Sequence, residues 1–284
     1  MHVTMPDGAR LWTDSSPARP GGAMVLLHGG PGLWDYLGPL ASLVEDRVAT
    51  HRFDQRGCGR STGDGWSVAR LVADIEALRT HWGYDRWVVL GHSFGATLAL
   101  EYAAAHPAAV AGVVYCAGTG VGRGWHAEYK VAADARLTPA QRERRDALGA
   151  RDRTRAEEVE WRTLRWAPDF ADRSRAEEQA RADASVDLAV SVGCHRALSG
   201  EVAAFDEEAQ RARYAAVEVP ALVLHGDGDP RPASGAAGVA RLLPDATLAV
   251  VPGAGHQPWR ERPDETRRHL ATFLDRISGP PRGA

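Results

Sequence analysis

The chain of 284 residues contains a single lysine, Lys130, among its 34 basic residues, and only three cysteines, Cys58, Cys116 and Cys194. An odd cysteine count with no short-spaced pair fits neither a disulfide framework nor a metal site. There is no basic surplus: a formal net charge of −3 removes the electrostatic case for nucleic acid or an anionic membrane as partner. No apolar run reaches the roughly 18 residues expected of a membrane span. The opening residues, Met1-His2-Val3-Thr4-Met5-Pro6-Asp7-Gly8, lack the basic and apolar regions of a secretory signal. These absences together lead to the expectation of a soluble protein in the reducing cytoplasm. The predominance of arginine, beside much alanine and glycine, reads as coding bias.

What is present is enough apolar material, 44% of residues, for a sizeable core. The length suits two domains, or one large α/β domain carrying an insertion. Leu11-Trp12, after a Pro-Asp-Gly turn, reads as half of an N-terminal hairpin. Ala23 to Leu27, Arg47 to Phe53, Trp87 to Leu90 and Val110 to Tyr115 read as strands. Val68, Leu71, Val72, Ile75 and Leu78 fall at helical spacing over residues 67–82. Strands alternating with helices predict a parallel sheet covered on both faces. From about residue 120 to 215 arginine and glutamate dominate, β-branched runs vanish, and segments such as Pro139–Leu148 and Ala156–Arg165 look helical. The strand pattern returns at Pro220–Leu224 and at Thr247–Val251, the latter expected to be buried. A closing helix is expected from Asp264 to Ile277, then a frayed tail from Gly279 to Ala284. The expected organisation is an α/β core, residues 1–119 and 216–284, interrupted after its sixth strand by a helical cap, residues 120–215.

The chemistry centres on Gly91-His92-Ser93-Phe94-Gly95. This pentapeptide stands between an apolar strand and a helix that stops at Pro107. A serine on such a turn, with glycines two residues to either side, forms a nucleophile elbow. The hydroxyl needs a base within hydrogen-bond reach, and the base needs an orienting acid. In open parallel sheets such groups sit in loops at the carboxyl ends of strands. Two downstream loops qualify: His225-Gly226-Asp227-Gly228-Asp229-Pro230 and Pro252-Gly253-Ala254-Gly255-His256. Their order makes His256 the base. Asp227 and Asp229 compete as the acid, with H-G-x-x-D spacing favouring Asp229, while Asp54 fits a turn role better. His28-Gly29-Gly30-Pro31-Gly32 follows a strand and can offer amides to an oxyanion. Pro31 has no N–H to give, so Gly30 and Phe94 become the expected donors.

Three strings, His28-Gly29-Gly30-Pro31-Gly32, Asp54-Gln55-Arg56-Gly57-Cys58-Gly59-Arg60-Ser61 and the serine pentapeptide, resemble the α/β-hydrolase fold and, more narrowly, its proline iminopeptidase branch. The resemblance covers about two thirds of the chain. It implies a serine hydrolase without cofactor or metal. Ser93, Asp229 and His256 would form its triad, and a helical cap would cover the site. The predicted substrate is a small molecule or short peptide with an ester or amide bond; oligomeric state is not encoded legibly. The cap departs from the branch. Its members grip a free amine through cap glutamates, in W-x-x-W-E-like and E-N-H-Y-F-like strings. Here Trp161 to Trp166 is followed by Ala167, and no glutamate stands near Val192-Gly193-Cys194-His195. Glu157, Glu158, Glu160, Asp169, Glu207 and Glu208 are the remaining cap acids. His92 and Phe94 also replace the usual glycine and tryptophan of the elbow. Trp34, Trp161, Trp166 and Trp259 are candidates for an apolar substrate pocket, with Trp125 a further aromatic of the insert.

Overall fold

The computed structural model describes residues 1–278, so the expected frayed tail lies outside the described residues. The elements follow in order: β1 (His2–Thr4), β2 (Arg10–Ser15), β3 (Ala23–Leu27), α1 (Gly38–Ala41), β4 (Ala49–Phe53), α2 (Val68–His81), β5 (Trp87–His92), α3 (Phe94–Ala105) and β6 (Val110–Cys116). Then come α4 (Trp125–Ala135), α5 (Pro139–Gly149), α6 (Arg155–Trp166), α7 (Ala176–Ala184), α8 (Val192–Ala203) and α9 (Glu207–Ala215). The chain closes with β7 (Ala221–Gly226), α10 (Ala233–Leu242), β8 (Ala246–Val251), α11 (Pro258–Glu261) and α12 (Pro263–Ser278).

The eight strands form one sheet in the order β1-β2-β4-β3-β5-β6-β7-β8. The β1–β2 and β2–β4 pairs are antiparallel; every later pair is parallel. Side-chain alternation separates two cores. Val25, Leu27, Val89, Val113 and Val223 pack with Leu71 and Ile75 of α2, Leu98 and Leu100 of α3, and Val239 of α10. Met24, Leu26, Leu90, Val114 and Leu222 pack on the opposite face with Leu40 of α1 and Leu270, Phe273 and Leu274 of α12. This is the helix–sheet–helix sandwich that a doubly covered parallel sheet requires. The expected buried strand over Thr247–Val251 is instead an edge strand. It pairs only with β7, and Leu248 and Val250 are each 41% exposed.

Register aligns the strand ends. Leu27 lies opposite Gly91, Gly91 opposite Tyr115, Cys116 opposite Leu224, and Gly226 opposite Val251. The loops after β3, β5, β7 and β8 therefore open on one edge of the sheet. Between β6 and β7 the chain makes a long helical excursion. Its helices α5 and α6 begin with capping boxes, Thr138 with Gln141 and Thr154 with Glu157, which satisfy otherwise unpaired amides. Helix α8 ties this excursion to the loop after β3: the Ser191 amide donates to the Gly32 carbonyl at 2.8 Å, and His195 Nδ1 donates to the Pro31 carbonyl at 3.0 Å. Cys194 lies with its Sγ 3.5 Å from Cys58 Sγ, both thiols free and buried. Among the described residues, no helix is long and apolar enough to cross a membrane.

Candidate active site

Ser93 sits between β5 and α3 with φ 57° and ψ −120°, a conformation that side chains rarely adopt. Such strain costs on the order of 1–3 kcal/mol and persists only where the surroundings enforce it. Here they do. A Cβ on Gly91 would run into the Gly95 carbonyl, and one on Gly95 into the Leu27 carbonyl. The Ser93 amide donates to the Cys116 carbonyl of the neighbouring strand at 3.0 Å. The Ser93 hydroxyl does not cap α3, so it stays available.

The loop after β8 brings His256 to the Asp229 carboxylate: Nδ1 donates to Oδ2 at 2.6 Å. Asp227 lies elsewhere, accepting the Gly253 amide at 2.7 Å as a turn brace. Asp54 is held by the Asp35 and Arg60 amides and the Arg60 guanidinium, all within 2.9 Å. Asp229 is buried, which by itself raises a carboxyl pKa. The facing charges of His256 and Arg231, with the His256 hydrogen bond, outweigh that and hold it well below the usual range. Arg231 supports Asp229 twice, through its amide at 2.9 Å and its Nη1 at 3.2 Å. The same guanidinium reaches Asp169 at 2.8 Å, and the Asp169 carbonyl accepts the His256 amide at 2.7 Å.

A second network fixes the histidine loop from below. The Gly29 amide donates to Tyr36 Oη at 2.9 Å, and the Tyr36 hydroxyl to His92 Nδ1 at 2.7 Å. His92 Nε2 donates to the His256 carbonyl at 2.8 Å. Burial, then the neighbouring His256, pushes the His92 pKa well down, so the ring is neutral with its proton on Nε2. The sequence departure at position 92 thus has a structural reason: a histidine there links the loops after β3 and β8. Gly30 follows in the first of those loops at φ 128°, open to glycine alone. Neither its amide nor that of Phe94, the first residue of α3, has a protein acceptor among the described residues.

A cavity of about 360 Å³ opens on these groups. Gly30, Tyr36, His92, Ser93 and His256 form its floor, while Tyr129, Arg165, Trp166, Asp169 and Asp183 enter its wall from the excursion. Trp34 and Trp166 line it, their rings edge-on with centroids 6.4 Å apart. The other two candidate tryptophans lie off its wall. Trp161 is turned toward α5 beneath Arg153 and Arg165, and Trp259 is buried edge-on against His92 at 4.7 Å. Glu157, Glu158 and Glu160 bind Arg151, Arg153 and Arg144 away from the cavity. Asp183, absent from the candidates, reaches the wall through its pair with Arg260 at 2.5 Å. Sequence reasoning also missed Tyr36, Arg165 and Arg231. Only Arg231 carried a signal, standing two residues beyond the favoured aspartate. Among the described residues, no three His, Cys, Asp or Glu side chains are grouped to hold a metal ion.

Residues 22–259 match the model of a family described as alpha/beta hydrolase fold. The chain is 31% identical over 264 residues to a proline iminopeptidase of Xanthomonas citri, covering 83% of each. It is 30% identical to that of Xylella fastidiosa strain 9a5c, covering 88% of each. Among solved structures, a proline iminopeptidase of Mycobacterium smegmatis superposes with TM-score 0.76 at 22% identity, covering 98% of this chain and 99% of that one. A thermophilic esterase from Thermogutta terrifontis superposes with TM-score 0.74 at 21% identity, covering 98% and 100%.

Proposed function

This chain belongs to the alpha/beta hydrolase family, with proline iminopeptidases among its relatives, and from that premise we propose that it is a serine hydrolase working through an acyl-enzyme on small esters or amides. The observation that carries the proposal is the 2.6 Å His256–Asp229 hydrogen bond beside a strained Ser93 in one cavity. Ser93 Oγ attacks the acyl carbonyl, and His256 Nε2 takes its proton. Asp229 holds the His256 tautomer and stabilises the imidazolium that forms. The Gly30 and Phe94 amides receive the oxyanion, the latter helped by the α3 N-terminus. His256 returns the proton to the leaving group. Water, deprotonated by the same imidazole, then releases the acid. Residues 120–215 serve as a cap domain that shapes the acyl pocket, over a core of 1–119 and 216–284. The cytoplasm is the proposed location, and no membrane or nucleic-acid partner enters the reading.

The test is Ser93→Ala. It is expected to abolish labelling by a fluorophosphonate probe and to lower kcat by about 10⁴–10⁶, with the far-UV circular dichroism unchanged. Activity within tenfold of the unsubstituted enzyme rejects the assignment. The relatives' printed names favour a second reading, release of an N-terminal residue. That chemistry needs a carboxylate free to meet an ammonium. Asp169 and Asp183 on the wall already face Arg231 and Arg260, so the acyl-substrate reading stands first.

A further inference from the structure

Five wall residues of the cavity are charged aspartates or arginines, and four of them are paired. Asp169 faces Arg231 at 2.8 Å, and Asp183 faces Arg260 at 2.5 Å. The fifth, Arg165, makes no ion pair or side-chain hydrogen bond among the described residues. The acids on its own helix are engaged elsewhere: Glu157 by Arg151, Glu158 by Arg153 and Arg162, and Glu160 by Arg144. Arg165 is exposed, with its guanidinium carbon 5.1 Å from the indole centroid of Trp161. A cation–π contact of that kind consumes none of the five N–H donors of a guanidinium.

A planar cation with every donor free, standing at the wall of an acyl pocket, matches the fork of a carboxylate. We propose that the preferred substrate carries a carboxylate remote from its scissile carbonyl. Arg165 receives that group while the carbonyl lies at Ser93. The proposal rests on the serine-hydrolase reading and narrows it to acidic acyl compounds, such as monoesters of dicarboxylic acids. A free ammonium in the same place meets like charge from Arg165, and must displace a guanidinium to reach Asp169 or Asp183.

The experiment compares kcat/KM for mono-p-nitrophenyl adipate, its neutral methyl ester and prolyl-naphthylamide. The expected result is a preference for the acidic ester over its methyl ester. That ratio falls about tenfold in Arg165→Met and is partly retained in Arg165→Lys. In the unsubstituted enzyme it shrinks as salt is raised, which needs no variant to fold. A ratio insensitive to both Arg165→Met and salt overturns the proposal. So does a kcat/KM for prolyl-naphthylamide above both esters after correction for leaving group. If neither ester is cleaved while Ser93 still takes a fluorophosphonate, the carboxylate proposal alone fails. If Ser93 is not labelled, the hydrolase reading beneath it fails as well.

Discussion

Asp227 and Asp229 are two residues apart, yet their carboxylates do unrelated work. Asp227 braces a turn through the Gly253 amide, whereas Asp229 is buried against His256 and Arg231. Asp229→Asn is therefore expected to lower kcat by about 10⁴, because an amide at that position favours the wrong imidazole tautomer. Asp227→Asn, which keeps an oxygen for the Gly253 amide, is expected to stay within a few-fold. Steady-state assays of the two variants check this, and a larger loss at Asp227 would reverse the assignment. Ser93 and His256 were legible in the sequence because chain order and strand context constrain them. Asp229 was legible through H-G-x-x-D spacing. Tyr36 was not: its hydroxyl matters only because the fold brings it 2.7 Å from His92, 56 positions away. Spacing in sequence holds no trace of such an encounter.

The elements of the sheet were read closely because buried parallel strands are short apolar runs bounded by glycine and proline. The helix expected over 67–82 spans Val68–His81, with Ser67 accepting the Arg70 amide as its cap. The outer strand was read as buried because Val250 and Leu248 resemble core residues until their missing neighbour is seen. Helices α7 to α9 were the least legible: α7 and α9 are only nine residues long and rich in charge, and α8 is interrupted by two glycines and has only Cys194 and Leu198 buried. At this scale the elbow makes the sharpest prediction. Gly91→Ala places a Cβ against the Gly95 carbonyl, in backbone that cannot yield, and should destabilise by about 3 kcal/mol or more. Gly200→Ala, on an exposed turn of α8 with open space around it, should stabilise by about 0.5–1 kcal/mol. Urea unfolding of both proteins measures the contrast. Equal midpoints would show that the close strand–helix approach is not what demands glycine.

For the whole molecule, pH stability follows from histidines buried without charge. Burial pushes the pKa of His28, His92 and His225 below the ordinary value, and that of His51 down to about 4. Unfolding frees each ring to take a proton near the ordinary imidazole value of 6.5. Their contribution is fully present above that value and declines as pH falls toward the folded-state values, because the unfolded chain binds more protons there. Tm should accordingly drop steadily from pH 7 to 5, with proton uptake on unfolding measurable by calorimetry in buffers of different ionisation enthalpy. A flat Tm over that range would mean these rings are already charged in the folded protein. The path of the chain has a consequence of another kind. The helical excursion leaves from β6 and returns on β7, which are hydrogen-bonded neighbours, with Cys116 opposite Leu224. To the sheet, that whole length is a loop whose ends are already pinned side by side. The entropic cost of such a loop grows slowly, by about 0.6 kcal/mol for each doubling in length. Changes of length within that segment therefore leave the strand order intact. Its Asp169, Ser191 and His195, however, hold the loops that carry His256 and Gly30, so under the proposed reading those three contacts are the part of the excursion that must be kept while the rest of the cavity wall is rewritten.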